Sequence, residues 1–123
     1  MTRFIVSDLN YIGNYNPNED SDDYRSAEGF NYHNGPEWLW LIGYYIRAQL
    51  YCSKKNDNPI VFEETRKHLS QILSHSMQLL LSNNWKGLPG LTNNDGQFCP
   101  YSCSVQASSS ATLLEALFDL KQS

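Results

Sequence analysis

Residues 1–35 show no sustained hydrophobic period. Asn14, Asn16, Pro17 and Asn18 are turn formers, and the acidic run Glu19-Asp20-Ser21-Asp22-Asp23 follows them, so the stretch reads as irregular. Only Phe4-Ile5-Val6 there suggests a strand. Residues 36–53 are different. From Trp38 to Tyr51 apolar residues fall on nearly every side of a helical wheel, which predicts a helix covered on most faces. Asn34 or Gly35 is placed to cap it, with Pro36 in its first turn. Residues 59–82 predict a second helix, opened by Pro59. Phe62, Leu69, Ile72, Leu73, Met77 and Leu80 keep a helical period, while Glu63, Arg66, Lys67, Gln71 and Gln78 fall on the opposite side.

Residues 84–103 are punctuated by Gly87, Pro89, Gly90 and Pro100, and Asn94-Asp95-Gly96 favours a tight turn. Loops of this length inside compact domains are more often functional than not. Residues 104–120 predict a third helix capped by Ser102 or Ser104. Its main stripe is Ala107, Ala111, Leu114 and Phe118, widened by Leu113, Leu117 and Leu120. The chain therefore reads as all-α, with a long irregular N-terminal segment. Three helices do not cover one that is apolar all round, so the pattern predicts one part of a larger helical assembly. A piece of this size buries too little surface to be more than marginally stable alone.

Composition narrows the function. Of the 123 residues 41% are hydrophobic and 13% aromatic, with eight tyrosines and three tryptophans. Such rings cover flat apolar faces while keeping a polar tip wet, which suits sugars, peptides and protein surfaces. The net charge is −4 and the nine Lys and Arg are scattered. Nucleic acid needs a concentrated basic face, so it is not expected as a partner. An anionic membrane surface is not expected for the same reason. No apolar run reaches transmembrane length, and the N-terminal apolar stretch is too short for a secretory signal. Cys52, Cys99 and Cys103 are expected to be reduced thiols, and Cys99-x-x-x-Cys103 lacks a zinc-like spacing. His68 and His75 share a helix face with no third ligand near them in sequence. The acidic run lacks the glycine and distal Glu of a calcium loop. No metal site and no cofactor is expected.

Candidate chemistry concentrates where the irregular segment meets the first helix. Tyr32, His33, Glu37, Trp38 and Trp40 crowd polar and aromatic groups there. Hydrogen-bonding groups at that position can hold sugar hydroxyls while an indole covers the sugar's apolar face. The competing reading is that His33 and Glu37 only cap and anchor the helix.

Several rare-residue segments, in order along almost the whole chain, carry a resemblance. They are Asn31-Tyr32-His33-Asn34-Gly35-Pro36-Glu37-Trp38; Gly43-Tyr44 with Arg47-Ala48 and Leu50-Tyr51; Trp85-Lys86-Gly87-Leu88-Pro89 with Leu91-Thr92-Asn93; and Cys99-Pro100 through Gln106-Ala107 to Asp119-Leu120. Together they resemble the C-terminal end of eukaryotic glycogen debranching enzymes. The resemblance implies a cytosolic enzyme family with 4-α-glucanotransferase and amylo-α-1,6-glucosidase activities, acting on glycogen and limit dextrin. It also implies an (α/α)6 toroid, of which this chain would supply the last few helices, with the remainder of the toroid as its partner. Inverting hydrolysis needs two carboxyl groups ~6.5–9.5 Å apart on opposite faces of the sugar. In the family the acid is an aspartate upstream of the segments found here. The base is the glutamate of a Leu-Pro-Glu-Leu-Thr-Asn segment.

Here that segment reads Leu88-Pro89-Gly90-Leu91-Thr92-Asn93, and Gly90 has no group to take a proton. The family's Gln-Ala-Trp-Ser is Gln106-Ala107-Ser108-Ser109, so an indole is also lost. Glu37 and Asp95 are the weak substitutes for the base. The expected sugar-binding residues are His33, Glu37, Trp38, Trp85, Asn93 and Gln106. Three readings follow: the tail of a debranching glucosidase, inactive as an isolated chain; a non-catalytic α-glucan-binding or interaction fragment; or a degenerate remnant.

Overall fold

The structure is a computed structural model, and it describes residues 11–123. The expected strand at Phe4–Val6 lies outside the described residues. The described part is mostly helical. Strand β1 (Glu37–Trp38) leads directly into helix α1 (Trp40–Lys54), followed by α2 (Pro59–Ser82), strand β2 (Leu91–Thr92) and α3 (Ala107–Lys121). Short 3-10 turns occupy Ala27–Gly29 and Asn94–Gly96. The residues group into two compact units.

The first unit comprises residues 11–38 with Leu91–Cys103. Its only strands among the described residues are β1 and β2, which pair antiparallel with Glu37 opposite Thr92 and Trp38 opposite Leu91. This pairing corrects the expected start of the first helix. Helix α1 begins at Trp40 rather than Pro36, and its N-cap is Leu39, with no side-chain cap. The backbone groups of Glu37 and Trp38 are used by the strand pair, so a distant partner wins over the local capping signal. Gly35 has another role. A β-carbon there would lie 2.2 Å from the Ile12 carbonyl oxygen and 2.6 Å from Asn31 Nδ2, so the chain passes where only glycine fits. The acidic run is folded about Asp23, whose carbonyl accepts from the Ser26 and Ala27 amides.

The second unit comprises Leu39–Gly90 with Ser104–Ser123. Its core is Leu39, Ile46, Leu50, Leu69, Leu73, Leu88, Leu113, Ala116 and Leu120, with Phe62, Ile72 and Met77 packed against it. Helix α2 matches its sequence pattern end to end. Asn58 caps it by accepting from the Ile60 and Val61 amides at 3.0 and 3.4 Å, and Pro59 takes the first helical position. Helix α1 packs mainly on α3. Arg47 of α1 bonds Asp119 at 2.8 Å and also pairs with Glu115.

As the all-round apolar pattern implied, three helices leave part of α1 uncovered: Leu41, Tyr44 and Tyr51 are exposed among the described residues. One expectation about α3 is corrected. In α3 the expected main stripe points outward. Ala107, Ala111, Leu114 and Phe118 are all exposed, while Ser109, Thr112, Leu113, Ala116 and Leu120 are buried. The cause is a close helix crossing. A β-carbon on Gly43 would lie 2.3 Å from the Thr112 carbonyl, so the facing side of α3 must be small. Thr112 satisfies its hydroxyl there by donating to the Trp40 carbonyl at 2.9 Å. Neither Ser102 nor Ser104 caps α3. Its N-cap is Gln106, held extended by its amide bond to the Leu88 carbonyl at 2.8 Å.

Candidate functional site

The first unit brings together Tyr32, His33, Glu37 and Trp38 of the helix junction, whereas Trp40 belongs to the second unit and meets Tyr44 edge-on at 5.8 Å. Successive turns carry the chain through 29–35, with the Tyr32 amide on the Gly29 carbonyl and the Asn34 and Gly35 amides on the Asn31 carbonyl. Asn31 is buried, and its Nδ2 donates to the Ile12 and Asn14 carbonyls at 2.8 Å each. These bonds tie segment 11–15 against the turn, and the aromatic rings then meet above it.

Four rings form one cluster. The His33 imidazole lies nearly parallel to the Trp38 indole, with 9° between planes and 6.1 Å between centroids. Tyr32 meets both rings edge-on, at 4.9 Å from His33 and 5.0 Å from Trp38. Tyr15 packs on the other side of Tyr32 at 5.0 Å. Edge-to-face and offset parallel geometries at these distances are the favourable ones for ring quadrupoles. The Trp38 indole N–H donates to the Tyr32 carbonyl at 3.2 Å, so the ring is fixed in rotation as well as position. The product is an oriented, partly exposed indole with an imidazole alongside.

Polar groups of the same unit surround this wall. Glu37 Oε2 accepts from the Thr92 hydroxyl at 3.4 Å across the strand pair. Asp95 sits exposed in the Asn94–Gly96 turn with a φ of 57°, a left-handed conformation that Asp tolerates better than most residues. The Tyr11 phenol is held above its ordinary pKa, first by burial and then by the negative charges of Glu37 and Asp95. Asn93 is committed to holding the backbone: Oδ1 accepts from the Tyr15 amide at 3.0 Å and Nδ2 donates to the Phe98 carbonyl at 3.4 Å.

The remaining expected residues lie in the second unit. Trp85 is exposed at the tip of the turn after α2, where its amide donates to Asn83 Oδ1. Asn83 Nδ2 in turn donates to the Gly87 and Ser104 carbonyls at 2.7 and 2.8 Å, which fixes the turn. Gln106 is the extended residue before α3. Gly90 is buried and its carbonyl accepts from the Leu39 amide at 3.2 Å. Its φ is not in the left-handed region, where only Gly29 and Gly96 are found among the described glycines, so the backbone at Gly90 does not require glycine. Ser108, the other departure from the family pattern, is exposed on α3.

His68 and His75 are both exposed on α2. Cys52 is exposed and Cys99 is buried, and both are free thiols. Among the described residues no group of three His, Cys, Asp or Glu side chains is placed to hold a metal ion. Sequence reasoning passed over Tyr15, which packs on Tyr32, and Tyr11 beside the carboxylates. Their signal is long-range: Asn31 and Asn93 hold the 11–15 segment through bonds to Ile12, Asn14 and Tyr15.

The amylo-alpha-1,6-glucosidase family model matches residues 1–115, and the chain belongs to that family. It is similar to the glycogen debranching enzyme of Saccharomyces cerevisiae, with 40% identity over 121 residues. That match covers 93% of this chain and 8% of the yeast protein, so the chain spans a small part of its relative's length.

Proposed function

We propose that this chain supplies one wall of the glucose site of a debranching enzyme's amylo-α-1,6-glucosidase, which hydrolyses α-1,6-linked glucose in glycogen or limit dextrin. The observation that carries this reading is the Trp38 indole. It is held in one orientation by its bond to the Tyr32 carbonyl and by the His33 and Tyr32 rings. A rigid, partly exposed aromatic face binds the apolar face of a pyranose with little loss of side-chain freedom. Membership of the family and the likeness to the yeast enzyme support glycogen or limit dextrin as the substrate. The exposed faces of α1 and α3 support further helices packed against them, as in the last part of an (α/α)6 toroid. The reading carries with it the family's cytoplasmic location and, for a complete enzyme, its glucanotransferase activity.

A second reading, a non-catalytic α-glucan-binding module, is favoured by Gly90. Loss of a positioned general base costs ~10²–10⁴-fold in rate. No side chain at Gly90 supplies one, yet the aromatic junction of Tyr32, His33 and Trp38 is kept. Both readings expect no glucose release from limit dextrin by the 123-residue chain. Measurable release would overturn the inactive reading and point to Glu37 or Asp95 as base. Both also expect maltooligosaccharide binding that weakens about tenfold or more in Trp38→Ala, since truncating an aromatic anchor costs at least ~1.4 kcal/mol. A titration showing no binding at millimolar sugar would remove the glucan assignment.

A further inference from the structure

We infer that Tyr32 is a positioning residue for glucan binding: it sets the orientation of Trp38 and His33 without itself being the sugar platform. The inference rests on the glucan-site reading above and adds the residue that holds the platform in place. Tyr32 is the hub of the ring cluster. It touches Tyr15, His33 and Trp38, at centroid distances of 5.0, 4.9 and 5.0 Å. His33 and Trp38 are 6.1 Å apart, farther from each other than either is from Tyr32, so the Tyr32 ring is what wedges them parallel. Tyr32 is exposed and stands outside the hydrophobic core, so its ring contacts are those with the neighbouring rings.

The position also has a built-in separation of effects. The Trp38 indole bonds the Tyr32 backbone carbonyl, which every substitution keeps. Removing the ring thus removes only the edge contacts. Tyr32→Phe keeps those contacts and loses only the phenol oxygen.

The test uses the full chain and maltotriose. In Tyr32→Leu the indole N–H resonance of Trp38 and the ring resonances of His33 should move. Maltotriose affinity should fall about fivefold or more, the size expected from two lost ring pairs. Tyr32→Phe should restore both the resonances and the affinity. Thermal unfolding followed by circular dichroism separates this from a general loss of fold, because a misfolded Tyr32→Leu would lose its cooperative transition and Tyr32→Phe then decides alone. Unmoved Trp38 and His33 resonances in Tyr32→Leu overturn the inference. So does wild-type affinity in Tyr32→Leu, or failure of Tyr32→Phe to rescue. If the wild-type chain binds no maltotriose, the glucan reading falls and the affinity part falls with it. The Trp38 resonance in Tyr32→Leu still decides the positioning part.

Discussion

Asp23 shows how one side chain organises a segment that looks featureless in sequence. Its carboxylate accepts from the Arg25 backbone amide at 3.1 Å and from the Arg25 guanidinium at 2.6 and 2.8 Å. Those bonds hold its pKa down to about 2. A depressed carboxylate contributes its stabilisation above the unfolded pKa of ~3.9, and that contribution disappears as pH falls toward 2. The pair is solvent-exposed, so the effect is local and screened by salt. NMR titration should therefore find Asp23 ionising near pH 2 in the native chain and near the ordinary carboxylate value in Arg25→Gln. An ordinary value in the wild type would mean that the pair does not persist in solution. The acidic run was legible as a loop. That one of its members pairs with Arg25 was not, because an i,i+2 contact depends on turn geometry rather than on composition. The same holds for Asn31. Its place in the family motif was visible, but not its two bonds to carbonyls nearly twenty positions earlier.

Among the elements, the second helix was legible almost to the residue. Its signals are local: an Asn cap, a proline at the first position and a single amphipathic period. Helices α1 and α3 were less legible because their faces are decided by one another. The stripe Ala107, Ala111, Leu114 and Phe118 was the expected core side of α3, but the close Gly43 approach puts Thr112 at the crossing, so Ser109, Leu113, Ala116 and Leu120 are buried with it while Leu114 and Phe118 are exposed. Gly43→Ala tests this. Inserting a methyl group 2.3 Å from the Thr112 carbonyl forces α1 and α3 apart. The ~1 kcal/mol gain in helix propensity is then outweighed by overpacking of ~1–3 kcal/mol. Urea unfolding should show a lower midpoint for Gly43→Ala. A midpoint above wild type would mean that the helices do not cross so closely. The start of α1 failed for a similar reason. Asn34, Gly35 and Pro36 are all good start signals, but strand pairing with Leu91 and Thr92 claims the backbone just after them.

For the molecule as a whole, the mostly helical class and the family were both readable from sequence, the first from periodicity and the second from rare-residue segments in order. The wall of the site was half legible. His33 and Trp38 were singled out and do meet in the ring cluster, while Tyr15 reaches it only through a contact with Tyr32 that no local pattern signals. The described surface carries a consequence that can be measured. Leu114 and Phe118 on α3 are 67% and 62% exposed, and Tyr44 and Tyr51 on α1 are 52% and 64% exposed. Apolar surface of this kind marks interaction faces or association liabilities. The chain should therefore self-associate as its concentration rises in sedimentation experiments. Leu114→Glu with Phe118→Glu should shift it toward monomer. A monomer at all concentrations in the wild type would show that these faces do not attract one another.

The pairing of β1 with β2 has a bearing on how the wall comes into being. Glu37 and Thr92 are 55 positions apart, and both long helices α1 and α2 lie between them. Closing such a loop costs entropy that grows only as the logarithm of its length, but it is met before the pair yields any return. Helical turns form in microseconds or less and need no distant partner. The order of events is thus set by topology: α1 and α2 first, the two-residue ladder late. Glu37 acquires its Thr92 partner, and Asn93 its grip on Tyr15, only at that last step. The Glu37–Thr92 pairing should therefore open more readily than the helices, and amide exchange should be faster at Leu91 than in the middle of α2.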